Sequence, residues 1–334
     1  MTNRLVYFTY IFALILVFAV SRAESSTVKV LILDDVFCDI PAKGDPLEVM
    51  GKLKGELLVD GTRYQGKIEV CKNSSGMYLI NEVPLEEYVK NVVAAEVGPN
   101  WALEALKAQA VIARTYALRQ KLNSNNPNYD LTSSVLDQVY RGDTKGGTDE
   151  ALIAKAVAET RGEVLTYDGK LIEAFYHSTC GGETEDPVEV FGKSYPYLKP
   201  VKSKCILSPY CEWERKIPLQ EIAKALNVSG IKTVNIESHT VTGRVRALKV
   251  FYDKGVLTVK ATDLRKMLGW KRLPSTKFNF TRKGDVLIFE GKGYGHGVGL
   301  CQWGALQMAL GGSNYRKILY FYYPGTALRK YEDR

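Results

Sequence analysis

The 334-residue sequence has no internal repeat and no low-complexity linker, which excludes an array of repeated modules on flexible spacers. Its basic residues are not gathered into runs. With that scatter, nucleic acid is not an expected partner, although the net charge is +8. Histidine is scarce, with only His177, His239 and His296 in the whole chain. No cysteine directly follows the apolar run at residues 5–20, which argues against a lipoprotein anchor. The acidic residues form no obvious paired-carboxylate site.

What is present begins with that run. Arg4 precedes it and Ser21-Arg22-Ala23 follows, so residues 1–23 read as a signal peptide cut after Ala23. The alternative is an uncleaved N-terminal anchor, because such a run nearly spans a bilayer. Either reading exports the rest of the chain, to a periplasm or a cell-wall space. The even set Cys38, Cys71, Cys180, Cys205, Cys211 and Cys301 then points to disulfides, with Cys205 and Cys211 able to close a short loop. A zinc set of His177, Cys180, Cys205 and Cys211 is the competing reading, at a spacing that matches no common finger. No metal or other cofactor is adopted as the expectation.

Residues 28–33 and 53–79 read as short strands broken at Gly51, Gly61 and Gly76. The segment from Pro84 to Val97 reads as a helix stopped by Gly98-Pro99, and 101–122 as a longer, alanine-rich one. Thr148-Asp149 caps a third helix through Thr160. Hairpins turn at Tyr167-Asp168-Gly169, Asp253-Lys254-Gly255 and Lys283-Gly284-Asp285, with helices at 262–268 and 302–310. Helices and strands come in blocks, which predicts an α+β fold.

One acid stands out. Leu85, Tyr88 or Val89, and Val92 follow the helical spacing, and the next member of that row is Glu96. A carboxyl group there is either paired with a buried cation or kept partly protonated by desolvation, as a general acid requires. Lys107 and Arg114 share one face of the following helix and are the candidate cations. Four stretches are rich in polar and small residues: the Glu96 region with Trp101, Gln109 and Tyr116; residues 137–142; residues 175–186; and residues 293–305. His177 and His296 lie beside glycines in the last two, as expected of a lined groove or of tight turns.

At these residues the chain resembles the sporulation stage II protein D family, which includes amidase enhancers. The match rests on VPLEEYVKNVVAAEVGPNWALEALKAQAVIARTYAL (83–118), LDQVYRG (136–142), AFYHSTCGGETED (174–186) and GYGHGVGLCQWGALQMA (293–309). The resemblance implies a protein that acts on peptidoglycan glycan strands, and a lytic transglycosylase in the sporulation members. It implies an irregular α+β architecture in which the helical active-site segment packs against antiparallel hairpins. The expected divisions are residues 1–23, a small β region at 24–80, and a family-like domain at 81–330. Glu96 takes the family's catalytic position. Lys107, Arg114, Gln138, Tyr140, His177 and His296 are candidates for substrate binding. Some sporulation members hold zinc just before the Gln-x-Tyr motif; residues 129–137 here have neither Cys nor His, so no zinc is expected there. A Cys180–Cys301 bridge is a further pairing to consider. The alternative function is a non-catalytic enhancer that binds wall and stimulates a cell-wall amidase, which then becomes a partner. No wall-binding repeats precede the domain, which tilts the expectation to the enzyme.

Overall fold

The computed structural model describes residues 26–32, 40–41, 46–59, 61–97, 101–135, 137–142 and 150–331. The signal or anchor segment, Cys38 and the Thr148-Asp149 cap lie outside the described residues. Among the described residues, no helix is long and apolar enough to cross a membrane.

The chain opens with four strands, β1 (Thr27–Ile32), β2 (Glu48–Val59), β3 (Thr62–Lys72) and β4 (Met77–Pro84). Gly61 and Gly76 break strands as expected, whereas Gly51 lies inside β2 at a register shift against β3, a bulge that bends the strand without ending it. Helix α1 (Leu85–Glu96) starts directly after Pro84, and α2 (Leu103–Asn123) follows. Strand β5 (Leu131–Thr132) then pairs parallel to β1, completing a sheet of order β2-β3-β4-β1-β5.

Helix α3 (Glu150–Glu159) leads into β6 (Glu163–Tyr167) and β7 (Lys170–Leu171), joined by Asp168 and Gly169, both at positive φ. Strand β8 (Tyr176–His177) and helix α4 (Pro187–Phe191) follow. Next come β9 (Trp213–Pro218), α5 (Leu219–Leu226), β10 (Thr233–His239), β11 (Val245–Tyr252), β12 (Gly255–Lys260), α6 (Ala261–Leu268), β13 (Phe278–Lys283) and β14 (Val286–Gly291). The chain then returns through β15 (Leu300–Cys301), α7 (Gln302–Leu310), α8 (Tyr315–Tyr322) and β16 (Ala327–Lys330). The fold is mixed α+β with several small sheets, as the block pattern predicts.

Two large hydrophobic cores organise these elements, beside a small cluster of Leu31, Cys71, Tyr78 and Ile80 on the N-terminal sheet. The first unites Val28, Val30 and Ile68 of the N-terminal sheet with α1, α2, α3, β6, α7 and α8, so the 24–80 region shares its core with the helices. Helix α2 lies at its centre, buried on nearly every side from Ala105 to Leu118, and its alanines permit that close packing. The second core lies within residues 213–289 and joins β9, α5, the β10-β11-β12 sheet, α6, β13 and β14. The second core lies wholly within residues 81–330, whereas the first reaches beyond them into the N-terminal sheet.

Candidate active site

Glu96 is the last residue of α1, and the helix buries Leu85, Tyr88, Val89, Val92 and Val93 beneath it. That places a half-buried carboxyl group at the negative end of the helix dipole, where an anion is disfavoured. Three distant segments supply its partners. The Val139 N–H donates to Oε1 at 2.9 Å, and the Tyr176 hydroxyl donates to the same oxygen at 3.0 Å. The Gln302 amide lies 3.5 Å from Oε2, the oxygen with spare acceptor capacity. Burial pushes the Glu96 carboxyl above its ordinary range. The three donors and the charge of Arg141 pull it back without cancelling the shift.

The shell behind these contacts is ordered. Gln138 is buried; its Nε2 donates to Tyr176 Oη at 3.2 Å and its Oε1 accepts from Tyr88 Oη at 3.1 Å. Hydrogen bonds thus run from Tyr88 through Gln138 and Tyr176 to Glu96. Gln302 opens α7, and its Nε2 also lies 3.5 Å from Gln109 Oε1 on α2. Tyr176 and Gln302 come together because β8 and β15 pair in parallel, Tyr176 opposite Leu300 and His177 opposite Cys301. The pairing depends on Gly299: its φ is 74°, and a Cβ there would sit 1.9 Å from the Phe175 carbonyl oxygen.

The candidate cations are elsewhere. Lys107 is paired with Glu104 at 2.8 Å and with Glu159 at 2.6 Å. Arg114 is fully buried, with Nε and Nη2 on the two oxygens of Glu86 at 3.0 and 2.6 Å and Nη1 on the Glu163 carbonyl. Among the described residues, neither cation forms an ion pair with Glu96. The remaining candidates divide. Gln138 is linked to Glu96 through Tyr176. Tyr140 is buried between Tyr64 and Tyr88 and donates to Asn81 Oδ1 at 2.8 Å. His177 is buried with Nδ1 3.1 Å from the Val298 carbonyl oxygen, and His296 Nδ1 accepts from the Val298 N–H at 3.0 Å. Their rings are 5.6 Å apart. Burial lowers both pKa values, His177 well below its usual value and His296 to about 3, so both rings are neutral at neutral pH.

Sequence reasoning passed over Tyr176, Gln302 and the Val139 amide, although all lie inside the stretches it singled out. The five described cysteines are free, so neither a Cys205–Cys211 nor a Cys180–Cys301 bridge is formed. The thiols that gather are Cys180, Cys205 and Cys301, and they are the metal-ligating candidates.

Known proteins are similar in sequence. The profile of a family described as Stage II sporulation protein matches residues 73–167, and that of a domain of unknown function matches 209–299, which spans the second core. The chain is 34% identical to Stage II sporulation protein D of Bacillus subtilis over 75% of either chain. It is 34% identical to an uncharacterized protein of Brachyspira hyodysenteriae over 82% of this chain and 74% of that one. It is 31% identical to an amidase enhancer of Bacillus subtilis over 73% of this chain and 40% of that protein.

Proposed function

Because the chain belongs to the stage II sporulation protein D family, we propose that it is a lytic transglycosylase that cleaves peptidoglycan glycan strands, with Glu96 as its catalytic acid and base. The observation that carries this reading is the state of one carboxyl group. Glu96 is desolvated, has no ion-pair partner among the described residues, and has one oxygen already served by two donors. Its proton therefore belongs on Oε2, the oxygen left for a substrate.

The chemistry follows from that placement. Protonated Oε2 gives its proton to the glycosidic oxygen as the bond to the anomeric carbon breaks. The resulting carboxylate is stabilised by the Val139 amide and the Tyr176 hydroxyl, both already in place. It then takes the proton of the muramyl 6-hydroxyl, whose oxygen closes on the anomeric carbon and leaves a 1,6-anhydro end. One carboxyl group serves both steps. The basic surface of the chain suits an anionic envelope polymer, and strands stripped of stem peptides are the substrate this reading favours. The site of action is extracytoplasmic.

The likeness to an amidase enhancer supports a second reading, a wall-binding protein without turnover that stimulates a cell-wall amidase. Digestion of peptide-free glycan strands, with mass analysis of the ends, separates the two. The expected result is 1,6-anhydro ends from the wild type and a loss of about 10²-fold or more in Glu96→Gln. No anhydro ends, or equal activity in the variant, would overturn the enzyme reading; stimulation of an added amidase by both forms would establish the enhancer.

A further inference from the structure

We propose that Cys180, Cys205 and Cys301 together bind one zinc ion as thiolates, in a site that pins the Tyr176 and Gln302 segments behind the acid. Three separate parts of the chain bring these sulfurs together: the loop after β8, the loop before β9, and β15. All three side chains are buried, and their Sγ atoms lie within 4.8 Å of one another. Cys180 Sγ and Cys205 Sγ are 3.6 Å apart. Zinc–sulfur bonds of about 2.3 Å in a tetrahedron put neighbouring sulfurs about 3.8 Å apart, close to the Cys180–Cys205 separation and within reach of the third sulfur. A disulfide needs about 2.05 Å between two sulfurs and would strand the third thiol beside it.

Three amides point at the sulfurs, although Cys180 Sγ also lies 3.4 Å from the Ser203 carbonyl oxygen and Cys301 Sγ 3.6 Å from that of Ser178. The Cys180 N–H donates to Cys301 Sγ at 3.2 Å, and the Gly304 N–H donates to the same atom at 3.3 Å. The Gly182 N–H turns back on Cys180 Sγ at 3.4 Å, through the positive φ of Gly181 and Gly182. Amides aimed at sulfur hold the ligands of a thiolate site in place and offset their charge.

A second observation points the same way. Arg244 is buried against this cluster, with Nη2 donating to the Cys180 carbonyl oxygen at 2.6 Å. Its Nε and Nη1 have no hydrogen-bond partner among the described residues. Glu185 is 3.8 Å away and is already served by the hydroxyls of Thr240 and Thr242 and by the Asp186 amide. Three thiolates and a divalent ion leave one negative charge, and the buried guanidinium lies between that charge and the Glu185 carboxylate. The Glu185 carboxylate offsets the charge of the guanidinium but leaves Nε and Nη1 without a hydrogen-bond acceptor among the described residues.

The set differs from the one weighed on spacing alone. Cys301 replaces Cys211, which lies outside the cluster, and His177 is not among the grouped ligand atoms. The three thiolates leave the fourth tetrahedral position of the ion to a non-protein ligand such as water. Cys301 directly precedes Gln302, and Cys180 follows β8 by three residues, so the ion ties both partner-bearing segments to the Cys205 loop. This positioning role rests on the reading of Glu96 as the acid; the zinc site itself does not.

The test uses the full chain, purified with a thiol reductant and no added metal, and needs no activity assay. Elemental analysis should find about one zinc per chain. Peptide mapping after denaturation in chelator should recover Cys180, Cys205 and Cys301 as free thiols. Cobalt(II) exchanged for zinc should give a thiolate-to-cobalt charge-transfer band, kept in Cys211→Ser and lost in Cys205→Ser. Should Cys205→Ser fail to fold, the zinc content and thiol map of the wild type still decide. A disulfide among the three cysteines, copper in place of zinc, or a metal-free folded protein would each overturn the proposal.

Discussion

Tyr176 donates its hydroxyl proton to Glu96 Oε1 across 3.0 Å, although the two residues are 80 positions apart in the chain. This bond favours the carboxylate over the carboxylic acid and so opposes the effect of burial. Tyr176 is a positioning residue whose contribution can be read in a pH profile.

In Tyr176→Phe the charged form of Glu96 loses one of its two donors on Oε1, and its pKa rises further. The alkaline limb of kcat/KM on glycan strands moves to higher pH, because a general acid must be protonated to act. A variant that loses rate with an unmoved limb would show that Tyr176 only supports the fold.

Glu96 also makes a stability prediction. Its folded pKa lies above the ordinary value of 4.5, so the folded state holds the proton more tightly than the unfolded chain. Stability is therefore lost as pH rises from about 4.5 through the folded pKa, and the deficit persists at neutral pH. Glu96→Gln should raise Tm at neutral pH, with the gain shrinking in acid, while abolishing cleavage. Equal Tm values at neutral pH would show that the carboxylate is well solvated.

Arg114 is expected to matter for stability rather than for substrate. Arg114→Met leaves Glu86 without its bidentate partner and should cost about 3–5 kcal/mol in chemical denaturation. Adding Glu86→Leu should recover part of that loss. Unchanged stability together with a raised KM for glycan would return Arg114 to the groove.

His177 and His296 should stay neutral through the physiological range, because burial lowers both pKa values. Their ring proton signals should hold position from about pH 8 to about pH 5 in a nuclear magnetic resonance titration. Stability they contribute is present above the unfolded value of 6.5 and declines as pH falls below it. Titration of either ring within that window would disprove its desolvation.

Much of the local structure was legible. The α1 row ending at Glu96, the alanine-rich α2 and the three hairpin turns all have local signals: helical spacing, helix propensity, and Asp-Gly or Lys-Gly turns. Glu96 itself could be found because a charge on an apolar row is visible without a fold. Its partners could not. Chemistry-rich residue types drew attention to His177 and His296, while Tyr176 and Gln302, beside them in sequence, do the contacting. The choice depends on the β8–β15 register, which a strand of two residues does not announce. Lys107 and Arg114 were correctly placed on one helix, but Glu159 and Glu86, which claim them along with Glu104 of the same helix, come from other segments. The second core was hidden for a similar reason: a hydrophobic pattern says which face is buried and leaves open against what.

The spread of partners around Glu96 has a consequence in time. Its three contacts close chain separations of 43, 80 and 206 residues, and the longest spans the whole second core. Loop closure of that length is slow to be rewarded, so α1 and its acid form early while the complete constellation forms late. A chain stalled before Gln302 carries the acid without its full setting.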